Sequence, residues 1–490
     1  MDGGEAQLET LRAAAVSLDA VMLDNARYGF DRNHPRRSAR RVIYFSQLLV
    51  AALAIAGVVL AARTFPRATF GALHVSALAL FAVAIFWRLI AAANLEPMLS
   101  RLAAPAHWPT YTILCPLYHE ANVVPDLVAA INRIDYPKHA LDVKLLVEGD
   151  DLETLAAALA VSAPPHLEVV VVPAATPRTK PKALNAGLAR ARGDYVVVYD
   201  AEDRPHPQQL RGALAAFEDG DARLAGVQAP LAVDNGEESW IARQFAAEYA
   251  IQFRELLPFL ARLNLPLPLG GTSNHFRIDA LRAAGGWDPY NVTEDADLGY
   301  RLARDGYRLG VIGPPTWEEA PITFGAWLNQ RTRWIKGHIQ TWLVLMRDPF
   351  AAAREMGWRG FASMQVMLGG GVIAALAHGP LAFIVLVAAL SPYNLEPPDF
   401  VLAICGYSVP MFAALTASAL SNNLSHARAA LTMPFYWPLA TIAACRAVFE
   451  LIARPHHWSK TQHGLSPRNW FVARHGADIV DPSPADRLRA

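Results

Sequence analysis

Charge is scarce in this sequence. Only 18% of its 490 residues are Asp, Glu, Lys or Arg, against 53% hydrophobic, and mean hydropathy is +0.19. Soluble domains carry about 25% charged residues, so a membrane protein with one soluble part is expected. Neither sign dominates: Lys plus Arg and Asp plus Glu number 44 each. That leaves no bulk basic field for nucleic acid. Cysteine is nearly missing. Cys115, Cys405 and Cys445 lie far apart, two of them in apolar runs, which excludes a disulfide framework and a cysteine metal cluster. The first 40 residues are polar and end in a basic stretch, so no cleavable leader is expected.

What is abundant is apolar sequence at the two ends. Val42–Ala62 is an uncharged run of about 20 residues, the length of a bilayer crossing. Gly71–Ala93 is a second, with Arg88 near its end, where a long cation can snorkel. Arg32, Arg36, Arg37, Arg40 and Arg41 precede the first run and favour the cytoplasmic side. Residues 1–41 are therefore expected as a cytoplasmic segment, 42–93 as a helical hairpin, and 108–347 as a cytoplasmic domain. Residues 348–363 read as an interfacial helix. Residues 364–452 hold three apolar runs, Met364–Ser391, Phe400–Leu420 and Met433–Ile452, read as three to four spanning or re-entrant helices. The tail, 453–490, is basic. Three full crossings would leave that tail outside, so one segment is expected to be irregular. The Gly and Pro breaks in Met364–Ser391 make that run the suspect.

The middle region alternates. Thr112–Leu117, Val143–Glu148, Leu167–Pro173 and Asp194–Tyr199 are short, mostly aliphatic runs. Helical segments (Val123–Arg133, Asp151–Ser162, Pro181–Arg192) fall between them. This order predicts an α/β domain with a parallel sheet, its ligand at the carboxyl ends of the strands.

Three motifs carry chemistry. Asp200-Ala201-Glu202-Asp203 closes an apolar strand; acids spaced i, i+2 there can share a hard cation that also touches phosphates, though an acidic turn would look the same. Thr293-Glu294-Asp295 opens a helical pattern. Thr293 fits an N-cap and the acids fit the first turn, while a carboxylate there can also deprotonate a bound hydroxyl. Gln330-Arg331-Thr332-Arg333-Trp334 groups a Gln, cations and an indole on one helix, suited to phosphate and sugar, or to a helix lying against a membrane. His119, His275, His456, His457 and His463 lack zinc-ligand spacing.

The three motifs, in this order behind alternating strands and helices, resemble the membrane-bound family 2 inverting glycosyltransferases of the cellulose, mannan, curdlan and hyaluronan synthase type. The resemblance covers residues 112–347, about half the chain. It implies a Rossmann-like GT-A catalytic domain inserted between transmembrane helices of a polytopic protein in an inner, plasma-type membrane. Asp295, with Glu294 beside it, would be the catalytic base. Asp200 and Glu202 would hold Mg²⁺ or Mn²⁺ against the donor diphosphate, with Asp203 as a substitute ligand. Pro116, Glu120, Glu148, Asp150, Lys180 and Asp200 would line the nucleotide-sugar site. Arg333 would neutralise the leaving diphosphate. Trp334, Gln330 and Thr272 would meet the acceptor. Residues 457–464 are similar to the gating loop of those synthases. No cyclic-dinucleotide site of the RxxxR type is clear in the tail.

The resemblance implies transfer of a sugar, UDP-glucose being the commonest donor, to a growing β-linked polysaccharide. Mannose, N-acetylglucosamine and N-acetylmannosamine donors stay open. Transfer of a single sugar to a membrane lipid uses the same motifs: by the resemblance Gln330–Trp334 favours a processive synthase, while the low helix count weakens a self-contained export channel. A non-catalytic scaffold in an envelope complex is the third reading. The acceptor is thus a glycan or a lipid, and export or envelope partners are possible.

Overall fold

The computed structural model describes residues 15–94, 98, 101–161, 164–391, 395–421 and 423–458. Residues 459–464 of the gating-loop segment lie outside these.

A short strand β1 (Val16–Ser17) leads into helix α1 (Ala20–Asn33), whose first turn is capped by Asp19 accepting from Met22 N at 2.7 Å. Two apolar helices follow, α2 (Phe45–Thr64) and α3 (Pro66–Ala93). Pro66 opens α3, where its fixed φ suits the first turn and its missing N–H is not needed.

The α/β half then begins with four parallel strands and their crossover helices: β2 (Tyr111–Leu117), α4 (Val124–Asn132), β3 (Leu141–Glu148), α5 (Leu152–Val161), β4 (Leu167–Val172), α6 (Lys180–Arg190) and β5 (Tyr195–Val198). All eight residues of β3 are buried, as expected of a parallel strand covered on both faces. Its one cation, Lys144, is paired with Asp142 at 2.8 Å and Glu168 at 2.5 Å.

Further along lie β6 (Arg204–Pro205), α7 (Gln209–Asp219), β7 (Leu224–Gln228), β8 (Leu231–Val233) and α8 (Trp240–Ala250). A π-helical turn (Ile251–Leu256) joins α8 to α9 (Leu257–Arg262). Then come β9 (Asn274–Arg277), α10 (Ile278–Ala283), α11 (Glu294–Arg304), β10 (Arg308–Val311), β11 (Thr316–Glu318) and α12 (Phe324–Leu345).

The eight-stranded sheet runs β1-β4-β3-β2-β5-β9-β7-β10, with β9 antiparallel to both neighbours. A second sheet of three strands runs β6-β11-β8. Strand order steps outward from β2 to β4, then reverses as β5 pairs with the other side of β2. Ligands of open α/β sheets collect at such a switch point, outside the carboxyl ends of the strands. Those ends are Leu117 and Val198.

After α12 the chain becomes apolar again: α13 (Pro349–Met364), a π turn (Gln365–Gly370), α14 (Gly371–Leu390), α15 (Pro397–Ser421), α16 (Leu424–Ala430), α17 (Met433–Tyr436) and α18 (Leu439–Ala453). The stretch expected as a separate interfacial helix instead runs on into α14 as one helical length, with a non-helical residue at Gly357 (φ 71°). Pro380 removes one N–H from inside α14. Thr441 of α18 stands at the gap, receiving Gly379 N–H at 2.8 Å and donating to Ala375 O at 2.7 Å. Neighbouring hydroxyls repair a proline break in this way inside membranes.

Among the described residues, five helical stretches are long and apolar enough to cross a membrane: Phe45–Thr64, Pro66–Ala93, Pro349–Leu390, Pro397–Ser421 and Met433–Ala453. The last has the lowest hydropathy, 1.3, and both its ends touch the α/β half. Tyr436 hydroxyl donates to Glu248 at 2.8 Å, and Glu450 pairs with Lys336 at 3.1 Å. Met433–Ala453 therefore lies along α12 rather than leading away from it. Met364–Ser391, with its Gly and Pro breaks, is helical through Leu390, the Gly-rich stretch taking a π turn and Thr441 facing the Pro380 break.

Candidate active site

The switch point gathers the acidic motifs. Strand β5 leads directly into Tyr199-Asp200, and the turn that follows is fixed from below. Asp203 accepts from Asp200 N–H at 2.7 Å and from the Thr272 hydroxyl. Asp203 is buried, and burial with the Asp200 charge pushes its carboxyl far above the ordinary range. It faces inward as a brace, not as the substitute ligand. The Thr272 oxygen also lies 3.1 Å from Val198 O, and Thr272 is part of the wall of the cavity beside Asp200.

Asp200 and Glu202 face a large cavity. Lys180, first residue of α6, pairs with Asp200 and donates to Gly271 O at 2.6 Å. Burial works against the Lys180 charge, but Asp200 and Glu294 hold its pKa above the usual value. Gly271 marks the centre of the site. A Cβ placed there would lie 3.5 Å from Asp295 Oδ2, 3.8 Å from Lys180 Nζ and 4.0 Å from Asp200 Oδ2. The missing side chain keeps this space open.

Glu294 and Asp295 open α11. Burial, then the Asp295 charge, pushes Glu294 up to about 8; burial also raises Asp295. Thr293 occupies the N-cap position but makes no cap hydrogen bond; its hydroxyl faces Asn291 Oδ1 at 3.4 Å.

Helix α12, capped by Thr323, presents Gln330, Arg333 and Trp334 to the same cavity. Arg333 donates to Val292 O at 3.4 Å and lies 4.4 Å over the Trp458 ring. Its Nε and Gln330 Oε1 are buried without partners among the described residues. Trp334 packs beside Phe245 and Tyr249, with Arg331 5.0 Å from its ring.

The nucleotide-side candidates also line up at strand ends. Pro116 is in β2, and Glu120 after it accepts from Tyr118 N–H at 3.0 Å. Glu148 ends β3 and is paired with Lys182 at 2.8 Å; Asp150 is paired with Arg178 at 2.7 Å. Pro116, Glu120 and Glu148 line the cavity with the acids above; Asp150 does not, but its partner Arg178 does. Glu318, at the end of the three-residue strand β11, was not foreseen. It lines the cavity too, and burial plus the Glu202 charge pushes it up to about 8.

Among the described residues no three His, Cys, Asp or Glu side chains form a preformed metal cluster. Two carboxylates facing a cavity, Asp200 and Glu202, fit an ion of the Mg²⁺ kind, which takes one or two protein acids and completes its shell with water and substrate phosphate.

Residues 195–420 match the family described as Glycosyl transferase family group 2. That segment, a little under half of the chain, is similar to the family 2 glycosyltransferases. Over 282 residues, 56% of this chain and 57% of the relative, the chain is 28% identical to a beta-monoglucosyldiacylglycerol synthase of Synechocystis sp.. A probable glucomannan 4-beta-mannosyltransferase of Oryza sativa subsp. japonica is 23% identical, over 64% of this chain and 54% of its own length. The chain thus spans a little over half the length of these curated relatives. A solved mannosyltransferase from Pyrobaculum calidifontis, in complex with GDP-Man and Mn²⁺, aligns with 69% of this chain and 96% of its own at 21% identity and TM-score 0.44.

Proposed function

We propose that this chain transfers one hexose from a nucleotide-sugar, with inversion, to a hydroxyl of a membrane lipid. One observation carries the choice of acceptor. The cavity of about 950 Å³ that holds Asp200, Glu294, Asp295 and Arg333 continues between the apolar helices, along Leu78, Phe81, Ile85, Leu381, Ile384 and Leu402. An apolar cleft opening onto the acids suits a lipid tail better than a hydrated glycan.

Asp295 takes the proton of the acceptor hydroxyl as that oxygen bonds to the anomeric carbon. The bond from that carbon to the diphosphate breaks in the same displacement, and the nucleoside diphosphate leaves with the electron pair. An in-line attack needs no covalent intermediate. Lys180 and Arg333 supply fixed positive charge where the leaving group gains negative charge. A Mg²⁺ or Mn²⁺ ion, when bound to Asp200 and Glu202, would add to that neutralisation.

Gln330 and Trp334 on the cavity wall favour a second reading, a growing β-linked polysaccharide as acceptor, since an indole face suits the C–H-rich face of a sugar. The test is to incubate the purified chain with Mn²⁺ or Mg²⁺ and labelled UDP- and GDP-sugars. Label in the lipid-soluble fraction, one sugar per acceptor, supports the lipid reading; label in an extraction-resistant polymer overturns it in favour of the second.

A further inference from the structure

One face of α3 lines the cleft through His74, Leu78, Phe81, Ile85 and Arg88. The spacing of 4, 3, 4 and 3 residues keeps all five on one side of the helix. At 1.5 Å per residue, His74 and Arg88 lie about 21 Å apart along the axis. The face is therefore apolar in the middle and polar at both ends. At the end far from the catalytic half, His74 is matched by Asp399 at 3.1 Å.

The near end is not matched. Arg88 has no hydrogen bond and no ion pair among the described residues. Its guanidinium lies 5.6 Å from the centroid of the Trp437 ring, and that ring is 5.1 Å from the ring of His378. Three separate helical segments thus bring a cation, an indole and an imidazole to one wall of the cleft. Glu248, which also lines the cavity, is already held by Arg331 and by the Tyr436 hydroxyl at 2.8 Å. A cation in an apolar cleft is costly unless it meets an anion. Plain snorkelling would direct it to the outer lipid–water boundary, whereas Arg88 is stacked over Trp437 and lines the cavity. It is also distinct from the cations at the donor side, Lys180 and Arg333.

We propose that Arg88, assisted by His378, binds the phosphate of an acceptor phospholipid, with a tail along Leu78, Phe81 and Ile85 and a hydroxylated headgroup reaching Asp295. A hydroxyl beyond the phosphate is required because Asp295 acts by removing a proton. This deepens the lipid-acceptor reading and rests on it.

The test uses the full chain, stripped of lipid in detergent. It is offered equal amounts of phosphatidylglycerol and diacylglycerol with matched tails, and retained lipid is read by native mass spectrometry. Phosphatidylglycerol should be retained at least tenfold over diacylglycerol. Arg88→Gln should remove that preference while leaving diacylglycerol retention unchanged, which also reports an intact cleft, and Arg88→Lys should restore part of it. Equal retention of the two lipids by the wild type, or an undiminished preference in Arg88→Gln, overturns the inference. So does displacement of phosphatidylglycerol by soluble glycerol 3-phosphate, which would mark a site for free phosphate. Sugar transfer to diacylglycerol without any phosphatidylglycerol preference sinks this inference alone; label found only in polymer sinks the lipid reading beneath it.

Discussion

Gly337 of α12 lies directly against the side chain of Thr293, so that any Cβ at 337 would overlap the Thr293 hydroxyl and methyl. The contact sets how α12, which carries Arg333, meets the turn that carries Glu294 and Asp295.

Gly337→Ala should therefore displace that turn. Overpacking of this kind costs about 1–3 kcal/mol. The expected result is a lower thermal midpoint together with a fall in kcat. Gly325→Ala on the same helix, where a Cβ would meet nothing within 4 Å, should change neither.

Lys180→Ala removes the partner of Asp200 and the charge proposed to face the donor phosphates. Donor KM should rise and kcat should fall, roughly tenfold or more, given charge-assisted hydrogen bonds worth about 1.5–3 kcal/mol. Lys180→Arg should recover part of the loss. An unchanged donor KM in steady-state kinetics would remove Lys180 from the donor site.

The raised acids give a pH dependence with a definite sign. The base must be ionised, and burial raises Asp295. The acid limb of kcat/KM should thus lie above the ordinary aspartate value of about 3.9. A limb at or below that value contradicts the assignment of the base.

Stability should move the opposite way. Glu294 and Glu318 are both pushed up to about 8 in the fold, against about 4.3 in an unfolded chain. A group whose pKa is raised on folding gives its full contribution below the unfolded value and loses it as pH rises through the folded one. The thermal midpoint should fall between about pH 5 and pH 9. Glu318→Gln should flatten part of that fall.

Much of this was readable in the sequence, for a physical reason. Strands β2 to β5 are buried on both faces, so they appear as aliphatic runs that stop where a polar site begins. The run Tyr195–Val198 into Asp200 shows this well. The second sheet was not readable, because β6 and β11 are two and three residues long and carry no period. Glu318 was hidden with it. The inward turn of Asp203 depends on Thr272, 69 residues away, and no local pattern reports it.

The central claim is proton removal by Asp295 during sugar transfer to a lipid hydroxyl. The measurement is transfer of labelled sugar into the lipid fraction by wild type and Asp295→Asn, with folding of the variant checked by its elution and thermal midpoint. General-base catalysis contributes about 10²–10⁴-fold, so the variant should lose at least a hundredfold in kcat while donor binding is kept. A folded Asp295→Asn chain that transfers sugar at the wild-type rate would contradict the account.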